Sequence, residues 1–207
     1  MAVCGMAIIT NAQIGKGSLL LGGNIGFGKS KQTNSGSDAA YRQSSFSISP
    51  ALGFVTADNK EWGIALHTSF QKTKASNQPS QNQYNGYGGS VFHRRYLTLG
   101  KGFYLFGQAA AGYRYTKQKY NSMDNVHSVT TRTDLVSVTA FPGVTYAVSK
   151  NFHLEAGLND LLALSYSAQN ETTVNGGAAS AKKTKSLNFD TNFSNSNPIT
   201  LGFRFVL

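Results

Sequence analysis

Long stretches in which apolar and polar side chains alternate constrain this chain most. The clearest runs from 86 to 115, GYGGSVFHRRYLTLGKGFYLFGQAAAGYRY, and predicts two strands joined at Gly100-Lys101-Gly102. From Phe103 onward every second residue is apolar or small, which indicates a strand with two different faces. Aromatic residues lie at the ends of the apolar face and small residues in its middle. That distribution is typical of a strand that crosses a lipid bilayer.

The first thirteen residues, MAVCGMAIITNAQ, differ from the rest of the chain. A short apolar run followed by Thr10-Asn11-Ala12 predicts the remnant of a signal peptide over 1–13, with Gln13 or Ile14 as the first mature residue. The mature chain would then lack Cys4, the single cysteine, and could form no disulfide. No later run approaches the roughly 18 apolar residues of a transmembrane helix. A chain of this kind can span a membrane only as a closed barrel.

Residues 14–207 predict one domain, since no linker interrupts them. Turn and loop residues divide this domain into eight predicted strands, over 18–30, 44–56, 61–74, 86–100, 103–115 and 132–148, from 152 onward, and over 199–207. Three short turns (57–60, 100–102, 149–151) alternate with four long polar loops (31–43, 75–83, 117–131, 167–185). The predicted fold is therefore all-β, an eight-stranded antiparallel up-and-down transmembrane β-barrel. Its termini lie on the short-turn side, which faces the periplasm in bacterial outer-membrane barrels.

Two places leave the strand register open. His93 and Arg95 share the parity of the apolar Val91 and Leu97, and Asn159-Asp160 breaks the parity, which predicts a bulge.

Several features together resemble the small outer-membrane β-barrel proteins of the OmpA/OmpX type. They are the apolar alternation, the FHRRYLTLGKGFYLFGQ hairpin around Gly100, the segment Phe141-Pro142-Gly143 and the terminal Gly202-Phe203-Arg204-Phe205. The resemblance covers 14–207 and implies a porin-like barrel in the cell envelope of a Gram-negative bacterium. It implies no particular activity, because the family includes structural and adhesive proteins and a few enzymes. The chain departs from the family pattern by ending in Leu207, where an aromatic residue is commoner.

The face opposite the apolar one carries a set of charged and polar residues predicted to line the lumen. They are Glu61, Arg94, Gln108, Arg114, Glu155 and Arg204. Eight strands leave an interior just wide enough to be filled by side chains, so opposite charges inside it must pair. The sequence therefore predicts a plugged polar lumen and excludes a solute channel.

Basic residues gather on the long-loop side, which is predicted to face outward from the cell. They are Lys29, Lys31, Arg42, Lys72, Lys74, Lys117, Lys119, Arg132, Lys182, Lys183 and Lys185. Five acids stand against these eleven cations (Asp38, Asp124, Asp134, Glu171, Asp190), which leaves about +6 of the total net charge of +10. Phosphates of lipopolysaccharide are the anionic partner that this basic rim predicts. The alternative is that the lysines only keep flexible loops solvated.

Other motifs predict no chemistry. Gly23 to Ser30 matches the phosphate-binding pattern GxxxxGKS, but a P-loop must open a helix, and these glycines alternate inside a strand. A nucleotide is therefore not expected, and nucleic acid is not expected as a partner. The four histidines, His67, His93, His127 and His153, share no spacing typical of a metal site. We expect no cofactor, no metal and no enzymatic activity.

Two alternatives remain open from sequence. A soluble lipocalin-like barrel would turn the apolar face inward around a ligand, and alternation alone does not distinguish inside from outside. A lipid-modifying barrel enzyme would need a site at the outer rim, where Ser165, His127 and Asp124 could meet only through loop geometry.

Overall fold

The computed structural model describes residues 14–33, 40–75, 81–122, 127–158, 161–191 and 199–207, and the predicted signal remnant 1–13 lies outside them. The strands are β1 Leu19–Thr33, β2 Ala40–Ala57, β3 Lys60–Ala75, β4 Gln81–Gly100, β5 Phe103–Asn121, β6 His127–Ala147, β7 Phe152–Leu158, β8 Leu162–Asn175, β9 Ala178–Thr191 and β10 Ile199–Val206. In the described ranges, no helix is long and apolar enough to cross a membrane.

The ten strands form a closed antiparallel barrel of eight. Both β7 and β8 pair with β6, so they are successive parts of the seventh barrel strand. The eighth consists of β9, which pairs with β8, and β10, which pairs with β7. The ring closes between β1 and β10, where Leu20 lies opposite Val206 and Gly23 opposite Phe203. The predicted all-β, eight-stranded antiparallel barrel is confirmed.

The predicted long loops are wrong in extent, because the strands continue through most of their residues. Only 34–39, 76–80 and 122–126 separate the strands there, and most of these positions lie outside the described residues. The basic residues assigned to loops therefore stand on strands. We call this the far end of the barrel; the turn end is the one with the connections at 58–59, 101–102 and 148–151.

The largest correction concerns 167–185, which was predicted to be a loop and instead forms β8, a tight turn and β9. Asn175 lies opposite Ala178, and the turn between them is Gly176-Gly177, with φ of 56° and 89°. Two adjacent residues with positive φ make the turn that matches the twist of a hairpin, and glycine adopts that conformation without strain. Because both faces of the hairpin are largely polar over 167–185, this part of β8 and β9 carries no apolar alternation in the sequence.

The two open registers resolve differently. Around His93 the pairing is regular, with Trp62 opposite His93 and Lys60 opposite Arg95. At the predicted bulge, Asn159 and Asp160 themselves lie outside the described residues. On either side, Gly143 pairs with Gly157 and Ala140 with Leu162, so the seventh barrel strand has two more residues than its partner. Two extra residues preserve the parity, and the predicted change of face was wrong.

The barrel wall has an apolar outer face and a largely polar inner one. Outward side chains such as Leu66 (60% exposed), Val138 (52%) and Leu164 (47%) are left largely uncovered by the rest of the described chain. Inside the turn end lies a small apolar cluster of Ile14, Leu20, Val55, Tyr96, Tyr104 and Phe106. Farther from the turn end, the inner face carries serine and glycine on β1 to β4. The charged residues of the lumen lie between these two zones.

Candidate functional site

Glu61 stands at the centre of the buried charges in the lumen. Its carboxylate has no solvent exposure, and Glu61 is the second residue of β3, two positions after the turn at 58–59. The Arg204 guanidinium donates a hydrogen bond to Oε1, and the Tyr96 hydroxyl donates one to Oε2 at 2.7 Å. A fully buried carboxylate requires such partners, because desolvation of an unpaired charge costs several kcal/mol.

Glu155, on β7, joins two arginines that lie on opposite sides of the lumen. Arg94 Nη1 is 2.5 Å from its Oε1, and Arg204 Nε is 2.9 Å from the same atom. Arg94 also donates to Gln108 Oε1 from Nε (2.9 Å) and from Nη2 (2.6 Å). Two cations thus share two carboxylates, and the net charge of the cluster is zero. Side chains from β3, β4, β5, β7 and β10 meet here, so the cluster ties the strands together across the lumen.

Space for the cluster comes from glycines on the inner face. A Cβ on Gly53 would overlap the Glu61 carboxylate, and one on Gly143 would overlap the ring of Phe106. That ring supports the cluster, because the Arg94 guanidinium carbon lies 4.0 Å from its centroid, a cation-π contact. Small residues in the wall therefore position the large charged ones in the lumen.

The structure brings together five of the six residues predicted for the lumen. Arg114 is the exception: it has the inward parity but is exposed, six residues beyond Gln108 along β5. About 20 Å of strand separates those two positions. Sequence reasoning missed Tyr96 and also Thr145, whose hydroxyl lies 3.4 Å from Glu155 Oε1. Tyr96 has the parity of Arg94, and that signal would have placed it in the lumen.

The histidines take four different environments. His67 on β3 links its two neighbouring strands, with Nδ1 3.2 Å from Ser49 Oγ on β2 and Nε2 3.0 Å from Ser90 Oγ on β4. His153 is buried beside the ring of Tyr104, and His93 lies on the outer face against Trp62, ring centroids 4.6 Å apart. His127 begins β6 at the far end. Among the described residues, no group of three His, Cys, Asp or Glu side chains could hold a metal ion.

The structure also shows where the GxxxxGKS match and two of the residues considered for a rim hydrolase lie. The GxxxxGKS match lies wholly within β1 and pairs in regular register with β2, from Gly23 opposite Pro50 to Ser30 opposite Gln43. The residues considered for a rim hydrolase do not meet: Ser165 lies opposite Ser137, ten residues along β6 from His127. Asp124 lies outside the described residues.

The basic rim lies on the strand ends of the far end, and ten of its eleven members have outward parity. Lys182 is the exception and lies opposite Glu171, whereas the neighbouring Lys183 and Lys185 alternate with it. Among the acids counted against these cations, Asp134 accepts a hydrogen bond from the Tyr113 hydroxyl. The cations therefore form an outward-facing belt directly beyond the apolar surface.

Neither a protein-family model nor a curated protein sequence matches the chain.

Proposed function

We propose that this protein is an integral β-barrel of a bacterial outer membrane, with a plugged polar lumen and a structural or interaction role at the cell surface. In this proposal lipid surrounds the apolar outer face, the turn end faces the periplasm, and the basic far end contacts lipopolysaccharide. The protein is neither a solute channel nor an enzyme, and it needs no cofactor.

The observation that carries the proposal is the continuous apolar band on the outer wall. On β3 the outward residues run from Trp62 through Ile64, Leu66 and Thr68 to Phe70. The four apolar ones are exposed, and the Thr68 hydroxyl donates a hydrogen bond to the Ile48 carbonyl. Eight residues rise about 27 Å along a strand, or about 20 Å along the axis of a barrel whose strands tilt by about 40°. That height is close to the apolar band of about 25 Å in outer-membrane barrels.

Aromatic side chains at both margins of the band also support lipid outside the barrel. Near the turn end lie the exposed Phe54, Trp62, Phe103, Tyr146 and Phe205, with the half-buried Phe152 against Phe205. Toward the far end lie Phe27, Phe46, Phe70, Tyr87, Tyr113 and Tyr166. Aromatic rings favour the boundary between acyl chains and headgroups. A water-soluble barrel would leave this whole surface in contact with solvent, and large exposed apolar patches are rare on soluble monomers.

The contents of the lumen argue against transport and against a soluble ligand-binding barrel. The charge cluster and the apolar cluster at the turn end occupy the inside, where a lipocalin-like barrel would need an apolar cavity. Toward the far end, the inner face of β1 to β4 carries serine hydroxyls and glycines rather than an apolar lining. A neutralised network of this kind stiffens the wall and blocks flow.

Cell fractionation followed by gel electrophoresis tests the proposal. We expect the protein in the outer-membrane fraction, resistant to detergent until boiled and migrating differently before and after boiling, because a closed barrel stays folded in detergent. Recovery of folded protein in the soluble fraction, without detergent and without a heat-dependent shift, would instead support the soluble ligand-binding barrel.

A further inference from the structure

Five basic side chains form two aligned rows on the outer face of β1, β2 and β3. In the row nearer the membrane band, Lys29 lies opposite Ser44, and Ser44 lies opposite Lys72. In the next row, Lys31 lies opposite Arg42 and Arg42 opposite Lys74. All six side chains are exposed and face the same way, and an open groove with a volume of about 370 Å³ lies among them. We call these six residues the β1–β3 basic face.

The cations of this face are uncompensated. In the part of the chain that the structure describes, none of the five lies within 4.0 Å of a carboxylate. The one acid in the adjoining segment 34–39 is Asp38, which lies outside the described residues, so counting it against the five cations still leaves four positive charges. On β4 the neighbours of Lys72 and Lys74 are the neutral Gln83 and Gln81. Like charges in adjacent rows repel one another, and an anion bound among them removes that repulsion.

An aromatic row lies directly beneath the cations on the same three strands. Phe27 lies opposite Phe46, and Phe46 lies opposite Phe70. The ring of Phe70 continues the row onto β4 through an edge contact with Tyr87, with centroids 5.7 Å apart. Phe27 is 89% exposed, so its ring has no partner within the described chain large enough to cover it. One surface thus carries cations above a row of aromatic rings, and the nearest cation is two residues from the ring on β1 and β3 and four residues from it on β2.

We propose that the β1–β3 basic face is a binding site for a lipid that carries two phosphate groups, an inference that rests on the proposed function. The phosphates bind the cations, and the acyl chains lie along Phe27, Phe46 and Phe70. The lysines of β1 and β3 are two strand spacings apart, about 9.5 Å, and Arg42 lies between them. One phosphate monoester carries a charge of about −1.5 to −2 and would neutralise fewer than half of the five cations. Two phosphates, one at each lysine column with Arg42 between them, match the four uncompensated charges, and each can accept charge-assisted hydrogen bonds.

The opposite side of the far end lacks this arrangement. There Lys117 lies opposite Arg132, but the row beneath contains Asp134, opposite Tyr115, and Asp134 is engaged by Tyr113. The aromatic row is also interrupted, since Val136 lies opposite Tyr113. Cations outside the β1–β3 basic face, including Lys117 and Arg132, therefore provide the control for the site.

The test uses the full chain refolded in a neutral detergent and titrated with diphosphorylated lipid A, monophosphorylated lipid A or inositol hexakisphosphate. We expect the diphosphorylated lipid to bind about tenfold or more tightly than the monophosphorylated one, because the second phosphate adds charge-assisted hydrogen bonds. Binding should weaken as salt rises from about 50 to 500 mM, as screening predicts. Replacing Lys29, Lys31, Arg42, Lys72 and Lys74 together by Gln should abolish the preference for two phosphates.

The control removes an equal number of charges outside the β1–β3 basic face, through Lys117, Lys119, Arg132, Lys183 and Lys185 each replaced by Gln. It should weaken binding by no more than about threefold, the effect of a more distant screened charge. Equal losses in both variants would overturn the site in favour of a general basic rim. Equal affinity for both lipids, or displacement of the lipid by an equal concentration of inositol hexakisphosphate, would overturn the two-phosphate lipid as ligand. The heat-dependent gel shift, measured on every variant, separates these outcomes from failure to form a membrane barrel.

Discussion

Replacing Glu61 by alanine is expected to lower the free energy of unfolding by about 3 to 5 kcal/mol, the usual cost of removing one partner from a buried ion pair. The side chain is fully buried, and its loss deprives Arg204 and the Tyr96 hydroxyl of their acceptor. Arg204 would keep only Glu155 as a counterion in the described part of the lumen. Urea titration of the refolded barrel measures the effect.

Asp190 gives the matched control, because it is an exposed acid on β9. Its replacement by alanine should change the free energy of unfolding by less than about 0.5 kcal/mol.

A glycine substitution tests the same cluster without removing a charge. Gly53→Ala should destabilise the barrel, because the added methyl group displaces the Glu61 carboxylate. Gly107→Ala is its control and should be neutral, because the added methyl group meets nothing within 4 Å. If Glu61→Ala unfolds at the same urea concentration as the parent protein, the buried cluster is not what holds the lumen together.

Leu66→Arg is the second change with a large expected effect. Leu66 is 60% exposed on the outer face, four residues from Trp62 and four from Phe70, and therefore lies at mid-height of the apolar band. An arginine at the midplane of a bilayer costs about 2 to 4 kcal/mol in a β-barrel. In phospholipid vesicles the variant should lose that much stability and refold in lower yield.

Thr56→Arg, on the outer face close to the turn end, provides the comparison. Arginine near the membrane boundary costs about 0 to 1 kcal/mol, so this variant should refold almost normally. The soluble alternative makes the opposite prediction, since an outward arginine at position 66 would face water and improve solubility. A Leu66→Arg protein that is as stable as the parent and soluble without detergent would therefore count against lipid on the outer wall.

Alternation predicted the strand count and the face of nearly every residue, because one side of each strand differs chemically from the other. It predicted that Glu61, Arg94 and Glu155 share the lumen. It did not predict which of them would touch, since that depends on how far neighbouring strands are staggered around the barrel. Arg114 shows the consequence: it has the correct parity but stands several rows away from Gln108.

Strand ends were less predictable than strand centres. At 167–185 both faces of the hairpin are polar, so no alternation distinguishes strand from loop. The available signal was Gly176-Gly177, a dipeptide typical of two-residue hairpin turns. At Asn159-Asp160 the sequence suggested an irregularity correctly. The register shows an insertion of two residues, which leaves Leu158 and Leu162 on the same face.

The single tryptophan allows a direct test of lipid contact. Trp62 is the only Trp of the chain, lies on the outer face near the turn end and is 53% exposed. In vesicles made with brominated lipids, bromine atoms close to the headgroup should quench its fluorescence strongly, and bromine atoms at the chain ends only weakly, because the residue sits at one margin of the apolar band. Fluorescence that no brominated lipid quenches, but that aqueous acrylamide does, would contradict a membrane-embedded outer wall.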